Sequence, residues 1–321
     1  MSTRSAGLDE TVERLSAGTR QWIRLHAGYL DTPSAHAELP VTPRVKALLQ
    51  LALLRRYWAK AAPQDPGLGE VTALVEHVWQ RPDFPHLITL DPGYARQYQL
   101  MYGALAPAAI SAGAHRTALA RLAADGYLTP RRKSPYVRLE TRFYADLAGV
   151  VHQLESYQEL YAASLLARAA GLPVEGLDVC DVTHTVFYLS DFGFRDPGLT
   201  REARDQASGV VDRLTDHCVR RGAWDLVGKL VLAQYCLGVD PLRTPSGAAG
   251  VRMLARAQSP DGAIPGKSAT ERAAATATPV QFFRRAYQAT LVTALATLII
   301  TSGRADGLSA AGSPAVWGAN R

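Results

Sequence analysis

The most chemically loaded stretch of the 321-residue chain runs from Asp178 to Asp191, DVCDVTHTVFYLSD. Coiled as a helix, it places Cys180, His184 and Phe187 on one strip and Asp181, Thr185 and Tyr188 on the next, because residues three and four apart are neighbours on a helix surface. Asp181 can reach His184 at i+3. A carboxylate that accepts the imidazole proton fixes the tautomer and raises the basicity, making His184 a general base near neutral pH. Tyr188 then offers a proton donor, and Asp191 a second carboxylate. The catalytic candidates are therefore His184, Asp181, Tyr188 and Asp191. The same residues admit a structural reading, in which Asp178 and Asp181 cap the helix and His184 is a satisfied core histidine.

Zinc is a second possibility, because Cys180, Asp181, His184, His217, Cys218 and Cys236 fall within one region. Cys180 and His184 have the i, i+4 spacing that lets one helix supply two ligands. His217 and Cys218 are adjacent, however, and on a helix they point about 100° apart. Cys236 sits in the apolar run LVLAQYCLG, which reads as core packing. No standard ligand spacing completes a set, so no metal is expected. Neither G-x-G-x-x-G nor G-x-x-x-x-G-K-S/T occurs, which argues against nucleotide use, and no G-x-S-x-G elbow is present. The expected chemistry needs no cofactor.

A third reading concerns His115–Arg142, HRTALARLAADGYLTPRRKSPYVRLETR. Leu119, Leu122 and Asp125-Gly126-Tyr127-Leu128 imitate the recognition helix and first wing strand of a winged-helix DNA-binding regulator. Arg131, Arg132 and Lys133 would form a basic wing tip on phosphate. Apart from His115, Arg116 and Thr117, the run lacks side chains that read bases, and no linker sets it apart. The expectation is no nucleic-acid partner. The net charge of +6 adds little, since five lysines leave 30 arginines among the 35 basic residues, a bias expected of a GC-rich genome.

The elements that must position these residues are helices. Apolar residues recur at three-to-four spacing almost throughout, whereas two-residue alternation is rare. One helix follows Leu8, Val12, Leu15, Trp22, Ile23 and Leu30. A second follows Val45, Leu48, Leu49, Leu51, Ala52 and Tyr57, opened by Thr42-Pro43, and a third Val71, Leu74, Val75 and Val78. More are expected near 92–110, 115–125, 136–149, 150–170, 177–191, 199–221, 223–237, 245–258 and 270–302. Breakers such as Gly171-Leu172-Pro173 and Asp196-Pro197-Gly198 separate them. About a dozen helices make an all-α domain over residues 8–302, with flexible tails at 1–7 and 303–321. Thr183–Leu189, Leu226–Leu237 and Ala289–Ile300 are apolar on most faces and suit an inner layer, while the charged Leu199–Arg221 suits an outer one. The run at Ala289–Ile300 is too short to span a bilayer. With no signal-like segment at the start and an odd number of cysteines, the cytoplasm is the expected setting, without a membrane partner.

Met253–Gly266, MLARAQSPDGAIPG, resembles the repeat of the terpenoid cyclase and prenyltransferase α/α toroids. In these an outer helix ends in Gln before a Pro-Asp-Gly turn, here Gln258, Pro260, Asp261 and Gly262. Ile264 stands where those families have an aromatic. Trp224–Gly228 fits an inner-helix start, and Asp181–Gly193 is similar to a motif in uncharacterised toroid-like proteins of actinobacterial biosynthetic clusters. The cyclase acid motif Asp-x-Asp-Asp and the Cys-x-Gly and Cys-His-Gly zinc signatures of lanthionine cyclases are absent. The resemblance implies an α/α toroid around a central cavity. With the acid–base candidates, the expectation is a cofactor-independent cyclisation or isomerisation of a small molecule or modified peptide in specialised metabolism. The alternative is a non-catalytic substrate- or peptide-binding component of a biosynthetic complex.

Overall fold

Several helices in this chain start at a residue whose side chain caps them. Asp65 accepts a hydrogen bond from the Gly67 N–H at 2.8 Å with Pro66 in the first turn, and Asp178 accepts one from the Asp181 N–H at 3.0 Å. Ser134, Thr200 and Thr244 act in the same way, and Ser156 with Glu159 forms a capping box. A computed structural model describes residues 2–32, 39–110, 113–267 and 279–310. Among these residues there are fourteen α-helices and no strand. The first seven are α1 (Ser2–His26), α2 (Val41–Ala61), α3 (Pro66–Gln80), α4 (Phe84–Leu87), α5 (Ala95–Ala104), α6 (Ala114–Ala124) and α7 (Pro135–Ala148). They are followed by α8 (Tyr157–Ala162), α9 (Leu165–Arg168), α10 (Val179–Ser190), α11 (Arg201–Arg220), α12 (Trp224–Cys236), α13 (Pro245–Ala257) and α14 (Pro279–Ala310). The protein is all-α.

Helix contacts close on themselves. α2 packs on α5, α5 on α7, α7 on α10, α10 on α12, α12 on α14, and α14 back on α2. The other long helices cover this ring from outside: α1 lies on α14, α3 on α2, α6 on α5, α11 on α12, and α13 on α12 and α1. The short α8 rests on α7, and α9 on α10. The chain thus alternates between ring and cover. Apolar side chains fill the contacts between the two, among them the fully buried Val186, Leu230, Val227, Ala294 and Ile300.

The join between the two ends of the chain uses the turn after α13. Gln258 Nε2 donates to the carbonyls of Leu15 at 3.3 Å and Gly262 at 3.1 Å. Gly262 has φ +96°, and a Cβ there would lie 2.2 Å from the Gly18 carbonyl oxygen of α1. Only glycine fits this approach.

Several boundaries differ from expectation. α1 begins at Ser2, so residues 2–7 are helical, and α14 runs to Ala310, past residue 302. Residues 270–278 of the expected last helix and 311–321 of the expected C-terminal tail lie outside the described residues. α2 opens at Val41 with Pro40 as its cap, and Thr42 instead donates to Asp91 at 3.2 Å. The expected helix over 150–170 is replaced by non-helical chain and two short helices. Gly149 at φ +65° ends α7, and Ser156 and Ser164 restart the helix twice. Gln281–Gly303 is long and apolar enough by composition to cross a membrane, and 72% of its most apolar window is buried in the protein.

Candidate functional site

All six ring helices contribute to the wall of a cavity of about 730 Å³. α2 supplies Lys46 and Gln50, α5 Gln97 and Tyr98, and α7 Tyr136, Glu140 and Tyr144. α10 adds Cys180, His184, Phe187 and Tyr188, α12 Lys229 and Leu232, and α14 Tyr287, Gln288, Leu291 and Leu295. Tyr94, 49% exposed, and the exposed Lys46 mark its opening to solvent. Two of the chain's five lysines are in this wall.

Four-residue spacing brings the polar groups together. On α7 it aligns Tyr136, Glu140 and Tyr144, and on the neighbouring α10 it aligns Cys180, His184 and Tyr188. Two rungs join the stripes. Tyr136 Oη and His184 Nδ1 are hydrogen-bonded at 3.2 Å, and the Tyr188 hydroxyl donates to Glu140 Oε1 at 2.7 Å. Both rungs advance together along their helices, so α7 and α10 run in the same direction. Gln97 Nε2 of α5 donates to the other Glu140 oxygen at 2.5 Å.

Glu140 is 6% exposed. Burial raises its pKa from 4.5 to about 6, against the hydrogen bonds from Tyr188 and Gln97 and the Lys46 charge, which favour the carboxylate. Burial pushes Tyr188, Tyr136 and Tyr144 up as well, with the Glu140 charge as the next cause, so all three hydroxyls keep their protons at neutral pH.

His184 does not have the environment expected of a neutral-pH base. The open part of its surface faces the cavity, and its ring stacks on Tyr188 with centroids 5.9 Å apart and planes 16° from parallel. Burial, followed by the charges of Lys229 and Lys46, lowers its pKa from 6.5 to about 3. It is a neutral imidazole throughout the physiological range. No Asp181 carboxylate contact sustains its basicity: Asp181 lies in the first turn of α10, and its side chain makes no hydrogen bond or ion pair among the described residues. Its pKa is raised by burial and by Asp178. Its side chain is not in the cavity wall.

Asp191 also lies outside the wall. It ends α10 in the left-handed region at φ 47°, accepts from the Tyr57 hydroxyl at 2.5 Å and pairs with Lys60 at 2.8 Å. Its place is structural, tying α10 to α2. Of the four expected residues, the cavity brings together His184 and Tyr188. Glu140, Gln97, Tyr136, Lys46 and Lys229 were not singled out from sequence. A glutamate between tyrosines at four-residue spacing was the available signal, since a carboxylate on an aromatic stripe must find partners when buried.

The zinc set does not assemble. Among the described residues no group of three or more His, Cys, Asp and Glu side chains is placed to hold a metal ion. Lys229 Nζ donates to Cys180 Sγ at 3.2 Å, His217 faces Glu175 at 3.9 Å, and burial pushes the Cys236 thiol up to about 12. The winged-helix alternative also lacks its wing: residues 125–128 form a turn and 135–148 are α7. Arg131 and Arg132 are exposed, whereas Lys133 lies 3.7 Å from the centre of the Tyr127 ring and donates to its carbonyl.

The fold and site together define an all-α protein built around a largely apolar cavity with a few buried polar groups in its wall. Residues 16–298 match DUF6895, a family described as a domain of unknown function, and the chain belongs to that family. No curated protein and no solved structure matches the chain.

Proposed function

We propose that this protein is a cofactor-independent enzyme of specialised biosynthesis that isomerises or cyclises a small molecule or modified peptide by proton transfer inside the cavity. The observation that carries this reading is the buried Glu140 carboxyl, held by Tyr188 and Gln97 in the wall of a substrate-sized space. A carboxyl poised near 6 takes a proton from one substrate position and returns it at another under neutral conditions. Tyr188 relays: as it accepts a substrate proton, its own passes to Glu140. Lys46 opposes negative charge that develops on the substrate, and neutral His184 with Tyr136 orients it by hydrogen bonds. The cavity supplies the positioning on which cyclisation depends.

The ring of six helices with its alternating outer cover reads as an α/α toroid, in line with the resemblance carried by Gln258–Gly262. The three free thiols suit a reducing cytoplasm. The test is to incubate wild-type protein and Glu140→Gln with a small-molecule extract of the producing cells and follow both by mass spectrometry. The expected result is loss of one compound and appearance of a product of identical mass with wild type only. A compound that is retained unchanged by both proteins identifies a binding component instead and overturns the enzymatic reading.

A further inference from the structure

We infer that the ligand is an amphiphilic carboxylate, its head held by Lys229 and Arg285 in a second, smaller cavity and its apolar body lying in the main one. This assignment rests on the main cavity being the working site. The second cavity, of about 490 Å³, shares Cys180, Lys229, Gln288 and Val292 with the main one.

α12 and α14 wall both spaces, and each changes character along its length. On α14 the lining passes from Arg284, Arg285 and Gln288 to Leu291 and Leu295; on α12 it passes from Asp225 and Lys229 to Leu232. At the helical rise, Arg285 and Leu295 are about 15 Å apart. The gradient matches a molecule with one charged end. The outer wall is stitched down: the Gly266 N–H donates to the Arg285 carbonyl at 3.0 Å, Trp224 Nε1 to Pro265 at 2.7 Å, and the Ile264 N–H to Thr290 at 2.8 Å.

Two cationic side chains that line this space make no ion pair among the described residues. Arg285, half-buried, makes no side-chain hydrogen bond or ion pair among the described residues. Lys229, 8% exposed, makes no ion pair among them and donates to the Cys180 thiol. A guanidinium and a buried ammonium without an ion-pair partner can gain charge-assisted hydrogen bonds from an anionic ligand. Arg284 is exposed and screened by solvent. The inner charges are then Lys229 and Arg285 against Asp225, a surplus of one positive charge. That surplus suits a monoanion. A dianionic phosphate would leave one negative charge uncompensated beside Asp225.

The test is calorimetric titration of the full chain with dodecanoate, dodecanol and dodecyl phosphate. The expected result is that dodecanoate binds about tenfold or more tightly than either of the others, a difference of about 1.4 kcal/mol. Arg285→Gln and Lys229→Gln should each remove that advantage while dodecanol binding stays unchanged, which also shows that the variants are folded. Equal binding of dodecanol and dodecanoate, or tighter binding of the phosphate, overturns the assignment on wild-type protein alone. Glu140→Gln should still bind dodecanoate. Binding without Glu140-dependent turnover removes the enzymatic proposal and leaves this one standing; Glu140-dependent turnover with no preference for dodecanoate does the reverse.

Discussion

His184→Asn should make the protein less sensitive to acid. The imidazole has an unfolded pKa of 6.5 and a folded one of about 3, so between these values the unfolded chain binds a proton that the native protein does not. Stability from this group is complete above pH 6.5 and falls as the pH drops toward 3. At 1.36 kcal/mol per pH unit, wild type should lose about 3 kcal/mol between pH 6.5 and 4 through His184. Asn cannot take up the proton, and its oxygen can still face the Tyr136 hydroxyl. Glu140 acts in the opposite sense, because its folded pKa is raised: the native protein holds a proton that the unfolded chain has released, and that stability disappears as pH rises from 4.5 to about 6. Both proteins carry Glu140, so its effect cancels in the comparison. Urea unfolding followed by tryptophan fluorescence at pH 7 and pH 4 gives the four free energies needed. Wild type should lose about 3 kcal/mol more than the variant. Parallel losses would show instead that His184 takes up its proton as readily in the folded protein as in the unfolded chain.

Asp181→Asn should leave turnover unchanged, since that carboxylate touches neither His184 nor the cavity; a large loss of rate in a steady-state assay would restore it to the mechanism. Asp191→Ala should lower the unfolding free energy by about 2 kcal/mol, because it strands the buried Tyr57 hydroxyl and places Ala at φ 47°. Denaturant titration reads that loss. Gly262→Ala should cost more than about 2 kcal/mol and lower the thermal midpoint, because its Cβ would meet the Gly18 carbonyl at 2.2 Å. An unchanged midpoint would mean that the turn does not seat on α1 as described.

The sequence made the helices legible, and half of the site. Capping residues such as Asp65, Ser134 and Asp178, with breakers between them, mark helix starts without tertiary information. The ring helices α10, α12 and α14 could be told apart by being apolar nearly all round. α2, α5 and α7 could not, because the faces they turn to the cavity carry Lys46, Gln50, Gln97 and Glu140 and look like solvent-facing strips. That is also why local spacing points to Asp181, whereas the carboxyl that joins this cluster is Glu140. Asp181 is three residues from His184 in the chain, but on α10 it ends beside Asp178, while the Tyr188 partner comes from α7, forty-eight residues away. Local spacing finds neighbours on one helix. It does not find those that a ring of helices brings together.

The proposed proton chemistry requires that the buried Glu140 carboxyl titrates near 6. Infrared difference spectra of wild type against Glu140→Gln, recorded across a pH series, isolate the carbonyl band of protonated Glu140. The expected band disappears with a midpoint near 6, shifted from the ordinary 4.5 by burial. A midpoint at the ordinary value would mean that water reaches the group freely, and the proton chemistry assigned to it would have no basis.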